Sequence, residues 1–273
     1  MKKIKVKNTK IYILIYWILI SLIIISIIYV LKYIYTNISL RKELEEESNL
    51  LNTIEIDESK LETVEVNENQ EVIEEPIETE RMLKVKELKE ENQDIVGWLE
   101  IEDTNINYPV LQGKDNEYYM THNYKKQKSK NGSIFLDKDY DWNIKGNNLL
   151  MYGHNLNNGT MFQELLKYEK ESFYKEHPVI RFTTEKEDSN YEIISVIKTR
   201  VYYKNEENVF RYYFFINPKS EKEYNEFITN AKNESLYETN KTASYGDELI
   251  TLSTCSYHVK DGRFAVIGKK IEN

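Results

Sequence analysis

Residues 11–31 are a single apolar run, Ile11 to Leu31, 21 residues long and interrupted only by Ser21 and Ser26. At 1.5 Å of rise per residue, a helix of this length crosses a hydrocarbon core of ~30 Å. Tyr12, Tyr16, Trp17, Tyr29 and Tyr33 include rings suited to the interfaces near its ends. Lys2, Lys3, Lys5, Lys7 and Lys10 precede the run without a single acid, which keeps that end in the cytoplasm and sends the rest of the chain outward. A cleaved signal peptide is the competing reading, but its apolar region is usually shorter and ends in small residues. Tyr33-Ile34-Tyr35-Thr36 offers no Ala-x-Ala pattern, so an uncleaved anchor is expected.

The net charge of −9 averages three unlike zones. Residues 1–40 carry six lysines and no acid, whereas residues 41–80 hold fifteen Asp or Glu against Arg41, Lys42 and Lys60. The remainder is close to balanced, and no basic stripe suggests nucleic acid. Like charges extend a chain. The expected organisation is therefore a cytoplasmic tail over 1–10, a transmembrane anchor over 11–31, an acidic extracellular stalk over 32–80 and one domain over 81–273.

That domain opens on a helical pattern from Met82 to about Asp94, after which β-branched and aromatic runs predict strands. These cover Val96–Ile101, Ile106–Leu111, Ser133–Leu136, Asn148–Tyr152, Val179–Thr183, Tyr191–Tyr203, Glu248–Ser253 and Arg263–Lys269. Capping-box patterns at Thr160-Met161-Phe162-Gln163 and Ser220-Glu221-Lys222-Glu223 predict two helix starts, the second opening a long helix to about Leu236. Consecutive strands with few helices point to a mainly β fold, an antiparallel barrel or sandwich.

Cys255 is the only cysteine. A lone exported cysteine is either a small buried hydrophobe or a free, reactive thiol. It closes the strand-like run Glu248 to Cys255 and precedes a turn-rich loop, and such strand ends carry reactive groups on a rigid support. His154 likewise follows a strand, in Tyr152-Gly153-His154-Asn155, and an imidazole beside a thiol favours the thiolate and can protonate a departing amine. His122, His177 and His258 compete for that role; His258 lies only three residues from Cys255. Arg263 starts the last strand, and its guanidinium would stabilise an oxyanion or position a substrate backbone. No Cys/His zinc spacing, Gly-rich phosphate loop or EF-hand loop is present, so no metal or cofactor is expected.

Thr251-Leu252-Ser253-Thr254-Cys255, Gly262-Arg263 and Tyr152-Gly153-His154-Asn155 together resemble the signature of sortases, the cysteine transpeptidases of Gram-positive cell surfaces. Val96-Gly97-Trp98-Leu99, Ile106-Asn107-Tyr108-Pro109-Val110 and Asp115-Asn116-Glu117-Tyr118-Tyr119 resemble class B members in particular, as does a long helix before the Cys-bearing strand. The resemblance implies an eight-stranded sortase-type β-barrel with added helices, including an N-terminal one. It implies that Cys255 attacks the Thr carbonyl of an Asn-Pro-x-Thr sorting signal, with His154 as acid/base, Arg263 as clamp, and Ser253 and Thr254 touching the substrate. A thioester would then pass to an amine of a peptidoglycan cross-bridge or lipid II. One departure is Tyr257, two positions after the cysteine, where some class B enzymes carry an acid; no acidic loop suggests calcium tuning.

Two other readings stay open from sequence. A surface cysteine endopeptidase or hydrolase would use the same thioester and accept water. A non-catalytic tethered binding domain would bury Cys255 as core.

Overall fold

The computed structural model describes residues 5–56, 79–144 and 147–272. The chain forms two compact units, Met1–Glu45 and Glu46–Asn273. The first is essentially helix α1 (Lys5–Ser48), which continues unbroken past the apolar run into the acidic segment. Its stretch from Lys10 to Ser48 has a mean hydropathy of 2.8 in its most apolar window, none of which is covered by protein.

In the second unit eight strands close into a barrel: β1 (Ile95–Glu100), β2 (Asn107–Leu111), β3 (Ile134–Leu136), β4 (Asn148–Tyr152), β5 (Val179–Thr183), β6 (Asp188–Arg200), β7 (Leu249–Cys255) and β8 (Gly262–Ile271). Their order around the barrel is β1-β2-β3-β4-β7-β8-β6-β5. All eight expected strands are present within a few residues of their anticipated bounds. The antiparallel expectation needs correction: β2 pairs with β3, and β4 with β7, in parallel. Parallel neighbours require a crossover, and the β4–β7 crossover carries β5, β6 and a helix over Glu221–Asn233, so no local pattern reveals it.

The helices are short and peripheral. α3 (Glu80–Glu91) starts where the Thr79 hydroxyl accepts from the Met82 N–H, and buries Met82, Leu83, Val85 and Leu88. α4 (Glu171–Glu176) follows a 3₁₀ segment, Phe162–Glu169. The Thr160 capping box does not form. The Thr160 hydroxyl donates to Asn158 instead, and fully buried Met161 and Phe162 dictate the entry, with Met161 at a φ of 55°. At α5 (Glu221–Asn233) the Ser220 hydroxyl does accept from the Glu223 N–H, but the Glu223 carboxylate caps the Lys219 N–H rather than its own partner's. α5 stops before Leu236 because the Leu236 N–H donates to the Val196 carbonyl on β6.

Two apolar clusters hold the barrel. One places Trp98, Leu111 and Phe135 against Val85 and Leu88 of α3, and includes Leu51 of the short helix α2 (Leu50–Thr53). Residues 50–53 of the expected stalk are thus helical and packed on the domain, while residues 57–78 of that stalk lie outside the described residues. The other cluster packs Tyr224, Phe227 and Ile228 of α5 onto β6 and β8, with Phe215 and Phe227 stacked at 4.0 Å. Each such ring, fully buried, stabilises by ~1.5–3 kcal/mol, enough for this side of the barrel to support the ends of β7 and β8.

Candidate active site

β7 lies between β4 and β8, and the register of these three strands composes the site. In the parallel pair, Tyr152 stands beside Ser253. The contact continues beyond the ladder: the Gly153 N–H donates to the Ser253 carbonyl at 3.2 Å, the Thr254 hydroxyl to the Gly153 carbonyl at 2.7 Å, and the Asn155 amide to the Cys255 carbonyl at 2.9 Å. Neighbouring strands run ~4.8 Å apart, so residue 154 emerges alongside residue 255. On the other side Cys255 is directly opposite Arg263; opposed antiparallel residues have Cα atoms ~4.5–5.5 Å apart and side chains on the same face. Imidazole, thiol and guanidinium therefore share one row across three strand ends.

All three line a cavity of about 240 Å³ and are half-buried. The His154 Nε2 sits 2.7 Å from the Met120 carbonyl. A carbonyl only accepts, so Nε2 carries a hydrogen, and in the neutral ring the free electron pair lies on Nδ1. The Arg263 Nη1 donates only to the neighbouring Gly262 carbonyl, at 3.0 Å. Among the described residues no carboxylate pairs with this guanidinium, so its charge is available to the cavity.

Two glycines permit the arrangement. A Cβ on Gly262 would lie 2.0 Å from the Ser256 carbonyl oxygen, so the hairpin joining Cys255 to Arg263 closes only without one. A Cβ on Gly153 would lie 2.4 Å from the Ile134 side chain and 2.7 Å from the Phe162 ring.

The remaining candidates are placed as follows. Ser253 and Thr254 line the cavity, but both hydroxyls have partners in the protein: Ser253 lies 2.6 Å from the Tyr212 hydroxyl, and Thr254 is tied to Gly153. His258 folds back so that its Nδ1 meets the Ser256 hydroxyl at 2.8 Å; His122 stacks on Tyr118 at 4.1 Å; His177 donates to the Glu102 carbonyl. None of these three lines the cavity, whereas His154 does. Tyr257 is 76 % exposed. Among the described residues, no group of three His, Cys, Asp or Glu side chains is arranged to hold a metal ion.

Sequence reasoning missed the wall of the cavity. Buried Asp137 accepts from the Tyr152 hydroxyl at 3.1 Å and from the Asn116 amide at 2.9 Å, and both donors line the cavity. Burial, then the Asp137 charge, pushes the Tyr152 phenol far above its usual range. Burial pushes the Tyr212 phenol up to about 12, against the opposing pull of its Ser253 bond and of Arg263. Both rings are therefore neutral hydrogen-bonding groups at physiological pH. Asn116 sits in a segment that carried the class B resemblance; nothing in the sequence marks Asp137 or Tyr212.

The arrangement matches known proteins over the same span. Residues 99–271 match the sortase domain, a stretch that contains His154, Cys255 and Arg263. Sortase B of Listeria monocytogenes is 35% identical over 190 residues, covering 69% of this chain and 74% of that protein.

The chain belongs to the sortase family, in class B.

Sortases are cysteine transpeptidases that act on proteins bearing sorting signals and on cell-wall amines, and this chain is a transpeptidase of that family. The structure of sortase B from B. anthracis in complex with AAEK1 superposes with a TM-score of 0.68 at 31% identity, covering 88% of this chain and all of that one. Clostridium perfringens sortase B gives a TM-score of 0.62 at 32% identity, covering 68% of this sortase and 99% of the other. The added helices α3 and α5 thus decorate a barrel that this sortase has in common with other class B members.

Proposed function

We propose that this sortase is held in the cell membrane by the helix through Ile11–Leu31, with its N-terminus cytoplasmic and its barrel extracellular, and that it links surface proteins to the wall through a thioester on Cys255. The observation that carries this reading is the single row of His154, Cys255 and Arg263 set by the β4–β7–β8 register.

The Cys255 sulfur attacks the Thr carbonyl of an Asn-Pro-x-Thr sorting signal, and the carbonyl π electrons move to oxygen. Arg263, with no carboxylate partner among the described residues, stabilises that oxyanion or holds the adjoining substrate carbonyl. As the C–N bond breaks, the departing amine takes a proton from the His154 imidazolium, leaving a thioester. An amine of a peptidoglycan cross-bridge or lipid II then attacks the thioester, loses a proton to His154 and expels the Cys255 thiolate. Ser253 and Thr254 shape the substrate floor largely through their backbone, since their hydroxyls are engaged. The run of lysines before Ile11 and the hydropathy of 2.8 in the helix support the anchored topology.

The test is turnover of an Asn-Pro-x-Thr peptide with and without triglycine. Cys255→Ala should abolish cleavage, and His154→Ala and Arg263→Ala should reduce it by orders of magnitude. Added triglycine should appear ligated to the Thr; a product that is only hydrolysed would favour an endopeptidase. Normal turnover by Cys255→Ala would overturn the mechanism.

A further inference from the structure

His154 and Asn155 are consecutive, and each grips a different part of the cleft. The imidazole donates to the Met120 carbonyl, while the Asn155 amide donates 2.9 Å to the backbone carbonyl of Cys255, a hundred residues away in the chain. Asn155 is 9% exposed, so this bond is shielded from water.

The loop carrying Asn155 is fixed without that side chain. Its backbone bridges to Met161, the Phe162 N–H donates to the His154 carbonyl at 2.9 Å, and the Tyr257 hydroxyl donates to the Asn155 carbonyl at 3.4 Å. Cys255 is held on one side by its pairing with Arg263 in β8, but on the side facing β4 it has fewer ties. The β4–β7 ladder ends at Tyr152 and Ser253, and Cys255 is the last residue of β7. Past the ladder, the Thr254 hydroxyl ties the preceding residue to Gly153, and the Asn155 amide takes the carbonyl of the nucleophile itself.

We propose that Asn155 is a positioning residue: its amide holds the Cys255 peptide against the loop that bears the imidazole, and so sets the thiol–imidazole geometry. The proposal rests on Cys255 and His154 being the reacting pair. Asn155 reaches the chemistry through the backbone of Cys255. Its loss should therefore lower the rate of the chemical step and leave ground-state binding intact. Misplacing a reacting group by about 1 Å costs on the order of a hundredfold in rate.

The test uses the full-length protein, an Asn-Pro-x-Thr peptide and triglycine. Asn155→Leu keeps the branched side-chain shape and removes the donor; Asn155→Ala removes both; Cys255→Ala serves as control. Both Asn155 variants should lose roughly tenfold to a hundredfold in kcat, with KM within about twofold of the parent; the Cys255 carbonyl loses its donor, so melting temperatures should fall by several degrees while both proteins stay folded at the assay temperature. Iodoacetamide should alkylate Cys255 more slowly in both. Asn155→Leu turning over at the parental kcat would overturn the proposal. So would a loss confined to KM with unchanged alkylation, or one that merely follows unfolding at the assay temperature. Activity in Cys255→Ala would instead sink the underlying mechanism, which keeps the two failures apart.

Discussion

Tyr212→Phe is the most informative perturbation of the site's support. Tyr212 is fully buried, Ser253 is 1% exposed, and their hydroxyls lie 2.6 Å apart. Removing the phenol hydroxyl leaves the Ser253 oxygen without a partner inside the protein, and a buried unsatisfied polar group costs ~1–3 kcal/mol. Ser253→Ala strands the phenol in the same way and should cost a similar amount. The double variant has no stranded group, so its loss should be smaller than the sum of the two, by roughly 1–2 kcal/mol of coupling. For a domain of about 150–250 residues each kcal/mol moves the melting temperature by about 2–4 °C. Each single variant should thus melt up to about 10 °C lower, and the double variant lower by less than the two shifts added together. Urea denaturation of all four proteins at constant m-value provides the free energies. Strict additivity, or single variants within about 0.3 kcal/mol of the parent, would show that this hydrogen bond does not hold the floor under Cys255.

Three further outcomes follow from the geometry. Gly262→Ala sets a Cβ 2.0 Å from the Ser256 carbonyl oxygen, so the hairpin must open and carry Arg263 away from Cys255; kcat/KM should fall about tenfold or more while alkylation of Cys255 persists. Asp137→Asn deprives Tyr152 and Asn116 of a charged acceptor. Such bonds are worth ~1.5–3 kcal/mol, and peptide kinetics should show KM rising more than kcat falls. Asp188 also links pH to stability. Burial alone would raise its pKa, but hydrogen bonds from Arg181 and Thr183 outweigh that and hold it below the usual carboxylate value. A depressed carboxylate contributes stability that is complete above its unfolded value and is lost as pH falls through its folded one. Arg181→Ala should therefore flatten the decline in stability below about pH 4, as read by denaturation across pH; an unchanged slope would contradict the assignment.

The parts of the fold legible in the sequence are those encoded locally. Cys255 and Arg263 are eight residues apart across a turn with a mandatory glycine, and their opposition follows from hairpin register. Strand positions follow from β-branched and aromatic runs, because each strand buries at least one face. His154 was marked by its Gly-His setting at a strand end, yet its adjacency to Cys255 depends on a parallel pairing that spans β5, β6 and α5, which periodicity does not report. The Thr160 motif failed because capping residues compete with burial, and Met161 and Phe162 are entirely enclosed. Asp137 and Tyr212 were invisible because a buried carboxylate and a buried phenol look, in sequence, like any other Asp or Tyr. Only the barrel brings them to the cleft.

Intact-mass spectrometry of the enzyme mixed with an Asn-Pro-x-Thr peptide tests the central claim most directly. The three-strand row requires an adduct equal to the peptide up to its Thr, attached at Cys255, which disappears on adding triglycine as the ligated peptide forms. Ligated peptide accumulating with no adduct on Cys255, or from the Cys255→Ala protein, would contradict it.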